Sequence, residues 1–286
     1  MKRIVAAWMA VMFIAAGVAA QSASSRAWQQ RLQVSIPLPV PMVELEPINP
    51  FAVEVDQVAE VSQSTPPRKV DVRGTARVAA YVDTKGECLG AVPLELPFPG
   101  LTSSMNLDLK GSRFEPAMAG SAPQASWAVL EIVMEGRVKE AQIIDHGLQP
   151  PNPESPPVPS VQAEMVPPGS LRNLKATPQD QLSRLAAPRR VKVSAPARDD
   201  EVQIRALVHI GEDGRCDRYV PLELYDGLNP WFSAYLATWR AQPGTRGGQP
   251  VASWVIYTAR VRMKLSGLNS ANSRIVSDRQ YVPNPQ

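Results

Sequence analysis

The side chains able to do chemistry are few and stand far apart. The 286-residue chain holds two cysteines, Cys88 and Cys216, and two histidines, His146 and His209. Thiols and imidazoles hold zinc when they come in short pairs, and here each stands singly, so no metal site is assigned. No serine elbow and no phosphate-cradling glycine loop occurs. His209 falls in a predicted strand and reads as a packed or rim histidine rather than a base. Glu95 and Glu223 each sit between two leucines and point away from the core. No catalytic residue and no cofactor-binding residue is assigned, and the chain is expected not to be an enzyme.

Sulfur chemistry is what remains. Two cysteines in an oxidising compartment usually pair. A Cys88–Cys216 disulfide would require two parts of the chain to meet through the same surface, as a pseudo-two-fold pair. Closing a loop of about 128 residues would contribute on the order of 4–5 kcal/mol in the chain-entropy account. A redox-sensing dithiol is an alternative use of the same pair.

The elements that position these residues come in two copies. Arg77 to Leu96 aligns without gaps on Arg205 to Leu224, with eight of twenty positions identical, Cys88 and Cys216 among them. Arg113 to Trp127 aligns on Arg240 to Trp254, with seven of fifteen identical. Random pairing gives about one match in sixteen. In each copy a strand is followed by a turn, Lys85-Gly86 or Asp213-Gly214, and a second strand. Pro93 and Pro221 cannot donate to a ladder, so the second strand belongs at a sheet edge or carries a bulge. Asn229-Pro230 opens a helix with Phe232, Tyr235, Leu236 and Trp239 at helical spacing. The matching stretch of copy one, 103–111, is weaker. Third strands are predicted over 126–134 and 253–263, with Gly136 to Asp145 as a possible fourth strand of copy one.

The expected fold class is therefore α+β: two tandem small domains, each a three-stranded antiparallel sheet with one helix (ββαβ), joined by Pro-rich linkers. Prolines number 29, about twice the usual share. Residues 37–67 carry seven of them, and 149–168 carry eight. Such stretches favour extended, semi-rigid spacers. At the start, Met1-Lys2-Arg3 precedes an apolar run from Ile4 to Ala20 that ends in small residues, a secretory signal pattern. Cleavage after Ala20 and retention as an anchor both fit this segment. The expected layout is signal peptide 1–20, spacer 21–68, domain 69–147, linker 148–188, domain 189–266 and a flexible tail 267–286. Formal charge is +3, of which Lys2 and Arg3 supply two, so nucleic acid is not an expected partner.

Several motifs carry a family resemblance. Copy one shows Asp83-Thr84-Lys85-Gly86, Arg113-Phe114-Glu115-Pro116-Ala117, and Gly120 with Pro123. Copy two shows Asp213-Gly214, Trp239-Arg240-Ala241-Gln242-Pro243 and Gly248-Gln249-Pro250-Val251. Each copy resembles the C-terminal domain of TonB-type energy transducers of Gram-negative bacteria, with Ser112 and Ala241 as departures. The resemblance implies a periplasmic module that accepts an extended peptide of an envelope protein along a sheet edge, by β-augmentation. The implied docking residues are Trp127, Val129 and Glu131 in copy one, and Trp254, Ile256 and Thr258 in copy two. The two tryptophans also suit a role as shared core residues. By the same resemblance, Cys88 and Cys216 occupy an inward-facing apolar position and could remain buried thiols. The transducers couple through a histidine in their N-terminal helix, and the first twenty residues here have none. The expected role is a periplasmic, non-catalytic binding or scaffold protein, without cofactors and without stable membrane insertion after cleavage. A structural protein whose two repeats pair into one closed pseudo-symmetric unit is the alternative.

Overall fold

Alternation of apolar and polar residues builds the strands. In β2 (Val70–Val82), preceded by the short β1 (Glu60–Gln63), Val72, Ala76, Val78, Ala80 and Val82 point inward while Asp71, Arg73 and Thr75 stay exposed. The turn at Gly86 follows, in a left-handed conformation of φ 78°, and β3 (Cys88–Glu95) returns. Three short strands, β4 (Arg113–Glu115), β5 (Ala117–Ala119) and β6 (Ala122–Gln124), lead into the 24-residue β7 (Ser126–Gln149). Copy two repeats the series as β8 (Ala187–Arg190), β9 (Ser194–Ala195), β10 (Arg198–Ile210) and β11 (Cys216–Glu223). It continues with helix α1 (Asn229–Leu236), β12 (Arg240–Gln242), β13 (Gly244–Arg246), β14 (Gln249–Val251) and the 24-residue β15 (Ser253–Val276). These come from a computed structural model, which describes residues 39–44, 48–101, 109–153, 175–191, 193–195 and 197–276. The signal segment 1–20 and most of the copy-one helix stretch lie outside the described residues.

The two copies do not form separate ββαβ domains. Their strands join in one antiparallel sheet of order β11-β10-β15-β7-β2-β3, with β9 added beside β15. The protein is mostly β, and α1 is its one α-helix among the described residues. The seam is the β7–β15 pair, which runs from Ile256↔Gln149 to Val276↔Val129. The expectation failed at Gly136. That glycine does not turn the chain: a side chain there would collide with Leu268 of the other copy. The third strand therefore runs on past Met134, and what reads as a fourth strand of copy one is its continuation. Bulges along the pair bend it, so two 24-residue strands curl around the core instead of lying flat.

Arms of each copy cross onto the other. β1 of copy one pairs with β12 of copy two, and β8 of copy two pairs with β4 of copy one. Gln57 bridges Thr245 and Arg184 bridges Met118, at equivalent repeat positions. Thus Gln57 to Gln63, within the first proline-rich stretch, and Arg184 to Arg190, beyond the second, pair with the opposite copy. Pro39 to Gln286 accordingly forms one compact unit.

One face of the sheet carries the main core. Phe232 and Tyr235 of α1, with Trp239 just beyond it, surround Tyr257, and Trp231 stacks on Tyr235, all at most 1 % exposed. On the opposite face two small equivalent clusters form, Ala79/Tyr81/Val92/Trp127 and Leu207/Val220/Leu222/Ile256. Ala176 covers the first and Ile48 the second, at matching positions of the two arms. Between the clusters that face is polar and laced with ion pairs.

Candidate functional site

Cys88 opens β3 and Cys216 opens β11, the two outermost strands of the sheet. Four strands lie between them, five spacings of about 4.8 Å each, whereas a disulfide spans a Cα separation of roughly 7 Å at most. Both are free thiols, so the expected disulfide is not made. The copies do meet as a pseudo-two-fold pair, but through β7 and β15. Cys88 is buried, and its thiol donates to the Gly90 carbonyl at 3.4 Å. Burial pushes its pKa up to about 11. Cys216 is also raised, first by burial and then by Asp217 and Asp213.

The residues expected to dock a partner lie at the centre of the sheet. Val129 pairs with Ala79 on one side and Val276 on the other. Glu131 faces Arg77 and Arg274 in the same way, and the Arg274 guanidinium meets its carboxylate at 2.6 Å. Ile256 lies between Leu207 and Gln149, and Thr258 between Arg205 and Gly147. The backbone edges expected to receive a peptide are filled by the other repeat. Trp127 is 4 % exposed and meets Tyr81 edge-on at 5.3 Å, while the Tyr81 hydroxyl donates to the Lys175 carbonyl at 2.6 Å. Trp254 is half-buried, edge-on to His209 at 5.0 Å, with the Arg218 guanidinium 5.6 Å above its ring. His209 Nδ1 stands 2.7 Å from Asp217 Oδ1. Among the described residues no nucleophile is hydrogen-bonded to this pair, and His209 lies at the rim of the copy-two cluster beside Trp254.

The outer strand β11 is not open either. Residues 40–43 run parallel to β11: Val43 N–H donates to the Tyr219 carbonyl at 2.8 Å, and Tyr219 N–H donates to the Pro41 carbonyl at 3.1 Å. Ser233 Oγ anchors this arm through the Val40 carbonyl at 2.6 Å. The chain thus augments its own sheet edge.

A free edge lies where β7 outruns β2. The β2–β7 ladder ends at Val70↔Val138, with one more bond from Lys69 N–H to the Lys139 carbonyl. From Glu140 to Gln149 the strand pairs with β15 on one side only. Among the described residues, its outer side accepts and donates no backbone hydrogen bond. Ala141, Ile143 and Leu148 pack against the main core yet stay half-buried, because no further strand covers them. Ile144, displaced at a bulge, is 38 % exposed. The exposed His146 ring lies 6.1 Å from Tyr257. On the polar face Asp145 takes a 2.7 Å hydrogen bond from Arg260 Nε, which holds its carboxyl below the usual range. Beside Glu140 and Gln142, Arg68, Asp199, Arg262 and Lys264 frame an open groove of about 460 Å³.

The equivalent end of β15, residues 271–276, also outruns its neighbour; its sequence Ala-Asn-Ser-Arg-Ile-Val interrupts the apolar residues with Asn272, Ser273 and Arg274. The 140–149 edge is the site that motif reasoning missed. Its strand character was visible from Gly136 to Asp145. That its inner partner would be β15, leaving the outer side bare, was not. Among the described residues no three His, Cys, Asp or Glu side chains come together as a metal site. No family model, no curated protein and no solved structure matches the chain.

Proposed function

We propose that this is an exported, periplasmic, non-catalytic scaffold protein that receives an extended segment of another envelope chain on its free sheet edge. The observation that carries this reading is the unpaired backbone of Glu140 to Gln149, backed by a half-buried apolar row. An unpaired, partly apolar edge is a template for another strand, and proteins normally blunt such edges when they serve no purpose. The resemblance of the repeats to TonB-type C-terminal domains supports the same mode of recognition. The signal-like residues 1–20 support export.

A photo-reactive residue at position 144, introduced in the full chain in its native host, tests the reading. It should yield a covalent adduct with a second polypeptide, and the same group at the core position 130 should not. His146→Pro removes an outward-facing edge N–H and should abolish the adduct while the circular dichroism of the folded protein is kept. A well-folded protein that gives no adduct from position 144 would remove the edge from consideration. N-terminal sequencing of the exported form should begin at Gln21.

A further inference from the structure

We infer that the chain received on this edge is a second copy of the same protein, paired antiparallel through Glu140 to Gln149; this rests on the free-edge reading above. The sequence Glu-Ala-Gln-Ile-Ile-Asp-His-Gly-Leu-Gln is self-complementary in face when it is reversed about the Ile144–Asp145 bond. Ladder partners assign the faces. Ala141 pairs with Met263, Ile143 with Val261, His146 with Ala259 and Leu148 with Tyr257, all buried main-core residues. Glu140, Gln142, Gly147 and Gln149 pair with Lys264, Arg262, Thr258 and Ile256 on the other face.

Reversal sets Ala141 opposite Leu148 and Ile143 opposite His146, core face on core face. It sets Glu140 opposite Gln149 and Gln142 opposite Gly147, polar face on polar face. No like charges come into register, although directly opposed like charges would destabilise a strand pair. A heterologous strand would have to match this pattern by design, whereas a second copy matches it by symmetry. The pairing would continue the main core of one copy into that of the other. The groove beside Glu140 and Gln142 leaves room for the partner's Leu148 and Gln149.

Closure also follows. An isologous pair built on a single edge stops at two copies. At the other end, the polar Asn272 and Ser273 and the charged Arg274 oppose growth of the sheet through residues 271–276 into a fibre. One strand pair buries less than a standard interface, so the dimer should be concentration-dependent.

Sedimentation velocity of the mature full-length protein over a dilution series tests the dimer. The molar mass should double as concentration rises, and Ile144→Lys should hold the protein at one copy with an unchanged melting temperature. Register is tested separately. The double variant Gln142→Cys/Gly147→Cys should form an intermolecular disulfide under mild oxidation, and neither single variant should do so to the same extent. A protein that stays single-copy at every concentration overturns the inference, as does a dimer indifferent to Ile144→Lys. A cross-link from Gln142→Cys alone would overturn the register. If the protein is single-copy but position 144 still captures a different envelope chain, the free-edge reading stands and only the identity of its occupant falls. If neither is seen, both fall.

Discussion

A thiol illustrates how position decides chemistry. Cys88 and Cys216 follow equivalent turns, and pairing them is a natural expectation for an exported chain. Placement on opposite edges of one sheet rules it out, and burial leaves Cys88 a protonated, apolar side chain. Ellman titration should find both thiols slow to react in the folded protein at neutral pH and two reactive thiols after unfolding. The raised Cys88 pKa adds a pH dependence. Its stabilising contribution is complete below the unfolded thiol value near 9 and is lost as pH rises toward about 11, on the order of 2 kcal/mol. Tyr219 and Tyr257, whose pKa values burial also raises, act in the same direction. The melting temperature should fall across that alkaline window, and Cys88→Val should flatten part of the fall. Ser233→Ala deletes the 2.6 Å bond to the Val40 carbonyl and should cost about 1 kcal/mol. Limited proteolysis should then cut faster near Pro41.

At the level of elements, the long strands decide the architecture. A strand that ended near Met134 would have left each copy a small sheet with its own helix. Gly136 lets β7 pass close to Leu268, and the strand continues into the other copy. Gly136→Val should cost about 1–3 kcal/mol by overpacking. Leu268→Ala alone opens a cavity where a side chain only 1 % exposed was packed, at about 2–5 kcal/mol. Combined, the two should cost less than their sum, with a coupling on the order of 1 kcal/mol in a double-mutant cycle. Additive costs would mean that these residues do not meet across the seam. Bulges at Lys139 and Ile144 belong to the same scale: they bend β7 and push Ile144 into solvent, where its replacement by Lys leaves the core untouched.

At the scale of the molecule, the unit from Pro39 onward should unfold as one cooperative body, because each copy supplies what the other lacks. Val40 and Ala59 of the first arm sit in the main core, as does Ala186 of the second. Neither copy has a complete core without the other's arm. Chemical denaturation should therefore give a single transition reported alike by tryptophan fluorescence and by far-ultraviolet dichroism. A protease site inserted between residues 154 and 174 should cut the chain without separating its halves under native conditions. Two resolved transitions, or halves that part on a sizing column, would contradict the exchanged arms.

Local and repetitive features were legible in the sequence. The duplication, the turns at Gly86 and Gly214, the helix at Asn229 and the edge placement of Pro93 and Pro221 all follow from short-range rules. Backbone conformation, proline's missing donor and side-chain periodicity act within a few residues, so they can be read from one strand alone. Which strand pairs with which is another matter. Strand β7 alternates equally well whether it stops at Met134 or runs to Gln149, and the choice depends on β15, more than a hundred residues away. Only the tertiary structure decided that the repeats share one sheet, that the two thiols stand apart, and that Glu140 to Gln149 presents a free edge among the described residues. Hydrogen bonds between strands are made across space, and the sequence records them only as donors and acceptors awaiting a partner.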